Sequence, residues 1–209
     1  MHPNKSSSVS ISLSLFACLI CQIGLGQSLV SIDDAIFGPD SITLDTNTGL
    51  EWLDLTFTAN ISTNDLVTET MPGGEFETFE IASLDLVLDL FSSVGLEPGF
   101  HPSGSREFEI AEDLANLFGP SSQINDFPAI RGNTSTPNAS GNLVRRVDLN
   151  VVGVNSVPNY FFSDTGGSNP DLPFAEIGTF LFRPSAIPEP NLGCVLIALG
   201  IGIVSRRRL

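Results

Sequence analysis

Cysteine is almost missing from this chain. There are three in 209 residues, Cys18, Cys21 and Cys194, and all three lie in the apolar segments at its two ends. The long stretch between those segments has no disulfide, thiol nucleophile or thiolate metal site to draw on, so an ordinary core must hold it together. Histidine is nearly as scarce, and beyond His2 only His101 remains. One imidazole without cysteine does not close a zinc site, and a Ser-His-Asp triad would have to be built on His101. Its neighbours Phe100, Pro102, Ser103 and Gly104 read as an exposed loop. The only lysine is Lys5; between residues 27 and 186 the basic side chains are Arg106, Arg131, Arg145, Arg146 and Arg183. That same stretch holds every Asp and Glu of the chain except Glu189, and the whole chain carries a formal charge of −15. Such a surface repels phosphate backbones, which excludes nucleic acid as a partner, and it repels anionic lipid. It suits solubility, cation binding or a hydrated extracellular matrix. No glycine-rich phosphate loop follows a strand, since Gly73-Gly74 and Gly166-Gly167 stand in turns.

The ends read as processing segments. Lys5 and the amino terminus form a short positive region, residues 9–25 are apolar, and Gly24-Leu25-Gly26 offers small residues to a signal peptidase. A permanent span fits poorly, because Ser10, Ser12, Ser14 and Gln22 interrupt the run. Phe16-Ala17 before Cys18 and Leu19-Ile20 before Cys21 make poor lipoboxes. Residues 1–26 are thus expected to be a signal peptide for the general secretion machinery, and residues 27–186 one extracytoplasmic domain, large enough to bury roughly 70% of its unfolded surface.

Residues 187–209 have three parts. Pro188-Glu189-Pro190 is stiff and extended, residues 192–204 are apolar, and Arg206, Arg207 and Arg208 cluster at the end. The apolar run would reach about 20 Å as a helix, against a hydrocarbon core of about 30 Å, so it makes a marginal anchor. The arginines resist translocation and keep this end cytoplasmic. The order of parts resembles the PEP-CTERM sorting signal. That resemblance implies an exosortase, a membrane cysteine transpeptidase, as partner, with Pro188, Glu189, Pro190 and the three arginines as the sorting motif. It also implies a bacterium that makes exopolysaccharide, and a protein held briefly at the inner membrane before it reaches the cell surface or the extracellular matrix. A tail anchor that is never cut is the alternative.

Along the domain, residues 42–44 alternate as a short strand, 45–49 carry turn residues, and 51–55 alternate again, which predicts a hairpin with Trp52 and Leu50 on one face. Ser62 or Thr63 caps a short helix that runs to Thr70, and Pro72-Gly73-Gly74 ends it. Residues 75–81 read as a strand. Ser83 caps a helix with Leu84, Val87, Leu88, Phe91 and Val94 on its apolar face, ended by Gly95; Ser105 caps another at 106–118, stopped by Gly119-Pro120. Residues 121–142 turn to Ser, Thr, Asn, Pro and Gly and predict a long loop. Strands are expected at 143–154 and 176–183, with a loop at 164–173. The sum is an α+β fold, a single compact domain of short antiparallel strands with two or three short helices, between a signal peptide and a C-terminal short transmembrane helix.

The segment Gly49-Leu50-Glu51-Trp52-Leu53-Asp54-Leu55-Thr56 resembles the opening of a GLEWLDLT-type ectodomain found in many PEP-CTERM proteins. Gly73-Gly74, the step Ile81-Ala82-Ser83 and the closing Ile177-Gly178-Thr179-Phe180-Leu181-Phe182-Arg183 continue the likeness. This chain departs where such proteins often have Gly and Arg, carrying Thr78 and Glu80 instead. The resemblance implies a location and no particular activity.

For ligands, Asp164, Asn169 and Asp171 offer hard oxygens for calcium in a turn-prone loop, outside EF-hand spacing. Tyr160, in the run Tyr160-Phe161-Phe162, and Trp52 offer rings for stacking on a sugar or for the core. No cofactor is implied. The expected function is a non-enzymatic surface or matrix protein associated with exopolysaccharide. The alternatives are a secreted hydrolase of that matrix using paired carboxylates, and a structural coat subunit.

Overall fold

The computed structural model describes residues 28–124, 127–154 and 157–185. The expected signal peptide, the tail helix and the sorting residues Pro188, Glu189, Pro190, Arg206, Arg207 and Arg208 lie outside the described residues. In chain order the elements are β1 (Leu29–Asp34), β2 (Gly38–Asp45), β3 (Leu50–Leu53), a 3₁₀ turn (Leu55–Phe57), α1 (Thr63–Glu69), β4 (Glu80–Ile81), α2 (Leu84–Ser93), β5 (Gly99–Pro102), α3 (Arg106–Leu117), β6 (Ser122–Ile124), β7 (Phe127–Pro137), β8 (Val144–Val154), β9 (Val157–Ser168), β10 (Gly178–Thr179) and β11 (Leu181–Pro184). A five-stranded sheet has the order β1-β2-β3-β11-β4, and a six-stranded sheet the order β10-β7-β8-β9-β5 with β6 beside β7. All pairs are antiparallel except β10 with β7. The fold is α+β, with short helices and two mainly antiparallel sheets.

The helices form where local chemistry dictates. The side chains of Ser62, Ser83 and Ser105 each accept a hydrogen bond from the backbone N–H three residues on, which satisfies a donor that the helix itself cannot. Acidic residues occupy each first turn, against the positive end of the helix dipole. Leu84, Val87, Leu90 and Phe91 of α2 and Phe108, Ala111, Leu114 and Ala115 of α3 are buried at helical spacing. They pack against Ile130, Leu149, Val151, Tyr160 and Phe162 on the inner face of the larger sheet, with Trp52, Leu55 and Phe180. A second core of Ile42, Leu53, Leu66, Phe76, Phe79 and Leu181 lies on the other face of the smaller sheet.

The β2–β3 hairpin closes as expected. Asp45 accepts from the backbone N–H of Asn47 (2.9 Å) and from the Thr48 hydroxyl (2.7 Å), and Gly49 takes φ = 69°. Elsewhere the structure corrects the sequence reading. The loop expected at 121–142 is mostly strand, β6 and β7, because Ala129, Ile130, Asn133 and Thr134 turn inward beside β8; the connecting turn is short and centres on Gly141. The loop expected at 164–173 starts later, since β9 runs on to Ser168. Of the strand expected at 75–81 only Glu80–Ile81 pairs; turns bring Phe76 and Phe79 to one side, into the second core. The strand expected at 176–183 is two strands that join different sheets at Phe180, whose N–H bonds to Asn133 and whose carbonyl accepts from Ala82. β1 and β5 are not apparent in the sequence: the two aspartates of β1 and the glycine and proline of β5 hide their pairing.

Candidate functional site

Three of the segments singled out in the sequence meet in the smaller sheet, as β3, β4 and β11, while Gly178–Thr179 joins the larger one as β10. β3 and β11 are neighbours, with Trp52 opposite Phe182, Glu51 opposite Arg183 and Leu50 opposite Pro184. Trp52 is fully buried against Phe182 (5.7 Å between centroids) and Phe118 (6.2 Å). Glu51 accepts from Arg183 Nε at 2.7 Å and from the Ser185 hydroxyl at 2.8 Å. Arg183 also pairs with Asp34 and lies 4.5 Å over the ring of Phe79. Burial alone would raise the pKa of Asp34, but the Arg183 guanidinium and the N–H groups of Ile36 and Phe37 outweigh it and hold that carboxyl below its ordinary value. Gly74 cannot carry a side chain, because a Cβ there would lie 2.2 Å from the Glu69 carbonyl oxygen. The motif residues thus serve the packing of this sheet.

Both ends of the described chain lie at the β2–β3 turn. The N–H of Thr46 donates to the Ser28 carbonyl (2.7 Å), and the N–H of Ser185 donates to the Gly49 carbonyl (2.7 Å).

The residues expected to take ligands do not share one pocket. The Asp164 carboxylate is 3.7 Å from Arg145, whose guanidinium also donates to the Asp164 carbonyl (2.7 Å). Asn169 accepts from the N–H of Asp171 (3.0 Å), and Asp171 accepts from the Asn64 amide (2.6 Å). Among the described residues no three His, Cys, Asp or Glu side chains gather as a metal ion needs. Tyr160 is fully buried, donates to the Pro128 carbonyl (2.8 Å) and packs 5.0 Å from the Phe108 ring, so its ring offers no face to a sugar. Burial, with a smaller effect of the Glu112 charge, raises its pKa. In β9 the side chains alternate: Tyr160 and Phe162 turn inward, and Phe161 is 43% exposed. His101, expected in an exposed loop, is buried in β5 with Nε2 2.9 Å from the Glu97 carbonyl oxygen.

Among the described residues, the carboxylate that departs furthest from ordinary behaviour is Asp54, in the GLEWLDLT segment. Burial, reinforced by the charge of Asp40, pushes its pKa up to about 7. Oδ1 is buried and has no hydrogen-bond partner. On its other side Gly119 is held at φ = 68°, where a Cβ would come 2.8 Å from Oδ2. Asp40 has an unusual backbone for a non-glycine residue (φ = 53°). It lines a cleft of about 310 Å³ with Ser31, Asp113, Asn116 and Leu117, between β1–β2 and the end of α3. A carboxyl whose pKa is raised by burial and by a second carboxylate is the kind of pairing that acid–base chemistry uses. Sequence alone shows Asp54 as one acid among many; what singles it out is a buried Oδ1 without a hydrogen-bond partner, whereas the more buried Asp45, Glu51 and Asp148 are all paired.

Comparison of the chain with protein-family models, with curated proteins and with solved structures finds no match in any of the three.

Proposed function

We infer that the chain is an exported, non-enzymatic protein of the bacterial cell surface or extracellular matrix, sorted through its tail by an exosortase and associated with exopolysaccharide. The observation that carries this reading is the three-part tail that follows directly on the strand completing the domain: Arg183 in β11 is only a few residues before Pro188-Glu189-Pro190. The placement of Glu51, Trp52 and Leu53 supports it, since these three residues of the resembling motif are buried in packing and ion pairing. The placement of Ser28 and Ser185 at one turn suits a domain carried between a secretion signal and a membrane tail. The test is the mass and the terminal peptides of the mature protein from its native producer. A new amino terminus near Gln27 and a carboxyl terminus near Pro188–Pro190 is the expected result. An intact Leu209 would refute sorting and leave a plain anchor.

Asp54 and Asp40 favour a second reading, a hydrolase of the matrix polysaccharide working at the cleft beside α3. Release of reducing ends from that polysaccharide by the mature chain, abolished by Asp54→Asn, would establish it; no release would remove it.

A further inference from the structure

The outer face of the larger sheet carries an arrangement that the fold does not use. In β5 and β9, Phe100 and Phe161 stand directly opposite each other, and Asn150 of β8 is the next residue across from Phe161. The three side chains form one row across adjacent strands, about 10 Å long at ordinary strand spacing. The next row inward on the fold, Val151, Tyr160 and His101, is buried. Phe100 is 50% exposed and Phe161 43%. About half of each ring stays in water, so beyond what a cross-strand aromatic pair contributes to the sheet the two residues forgo part of the stabilisation that burial would give. Other exposed apolar side chains, such as Ile36, Met71 and Leu172, sit in turns and not side by side on a sheet.

Beside the rings, on β7 and β8, the polar groups are paired. Arg131 donates through Nε to the Asn150 amide oxygen (2.9 Å), which fixes that amide and leaves its NH2 to donate to something else. The guanidinium itself pairs with Glu176 (3.2 Å). Arg146 binds Asp148 through both carboxylate oxygens (2.7 and 2.8 Å). Within a strongly acidic domain the β7–β8 side of this face thus pairs its two arginines with two carboxylates. Adjacent flat apolar rings, flanked by a fixed amide, match the apolar C–H faces and edge hydroxyls of sugar rings. An anionic polymer would gain no cation here and would be repelled by the rest of the domain.

We propose that the row Phe100, Phe161 and Asn150 is a binding site for an uncharged polysaccharide chain. It rests on the matrix reading above and names the surface through which that association is made. Phe161 and Phe100 stack on successive sugar rings, and Asn150, oriented by Arg131, donates to a hydroxyl. The edge position of β5 leaves the row open at one side, so a long polymer can run across it.

The test uses the mature chain and the producer's own exopolysaccharide, split by anion exchange into uncharged and anionic fractions, in affinity electrophoresis. The uncharged fraction should retard the wild type. Phe100→Ser and Phe161→Ser should each weaken retardation about tenfold, as the loss of one stacked ring implies, while Phe161→Tyr should keep it. Unchanged melting of the variants separates this from misfolding. Retardation by the anionic fraction alone would overturn the ligand class. Equal retardation of wild type and serine variants would overturn the site and leave the matrix reading standing, whereas no retardation by either fraction would end both. A wild-type dimer by light scattering that Phe161→Ser converts to monomer would show that the row is a self-association surface instead.

Discussion

Replacing Asp54 by asparagine should stabilise the protein, and by an amount that depends on pH. In the folded chain burial and the Asp40 charge hold this carboxyl's pKa near 7, against an ordinary value of 3.8. A folded-state value raised in this way means that below the unfolded value both states are protonated and nothing is lost. As pH rises from about 4 the unfolded chain ionises freely and the folded one does not, so stability falls until the folded pKa is passed and then levels off. A shift of about three units corresponds to at most about 4 kcal/mol. Asp54 is only partly buried, and solvent screening reduces the figure to about 1–2 kcal/mol. Asparagine has the same shape, is never charged and also leaves Oδ1 unpaired, so Asp54→Asn should match the wild type near pH 4 and melt about 3–6 °C higher at pH 8. The assay is thermal unfolding followed by circular dichroism at pH 4, 6 and 8, with Asp40→Asn as a second variant that gives part of the same gain. A difference that does not change with pH, or a variant less stable than the wild type at pH 8, would refute the assignment of Asp54 as a carboxyl whose ionisation the fold opposes.

Other substitutions probe the junctions. Arg183→Ala leaves Asp34 and Glu51, whose side chains are 7% and 6% exposed, without their cation, and should cost about 3 kcal/mol in urea unfolding at pH 7. Because Arg183 helps hold Asp34 below its ordinary value, the wild type loses that contribution as pH falls through the folded value, and the gap to Arg183→Ala should narrow below about pH 4. Gly132→Ala would place a Cβ 2.2 Å from the Phe180 ring and should cost about 1–3 kcal/mol, measured by denaturant midpoint. Adding Phe180→Leu to it should recover part of that loss, a coupling that two independent sites would not show.

The features that the sequence by itself determined are those set by neighbours within a few residues. Serines at 62, 83 and 105 cap three helices because a hydroxyl and an N–H three residues on are bound to meet there. Asp45 to Gly49 close a hairpin because the aspartate and the glycine encode that turn locally. The three-part order of the tail is likewise a property of sequence. The tertiary structure decided whatever depends on a distant partner. A Ser-, Thr- and Asn-rich stretch becomes β7 only because β8 pairs with it and Phe180 fills the space over Gly132. One closing run of residues divides between two sheets at Phe180, since its hydrogen-bond partners, Asn133 and Ala82, lie far apart in sequence. Tyr160, Phe161 and Phe162 are chemically alike along the chain, and the pleat of β9 alone sends the first and third to the core and the second to solvent. Asp54 differs from the other acids of this chain for the same reason: desolvation is produced by what packs around a side chain, and that is not written in its own neighbourhood of the sequence.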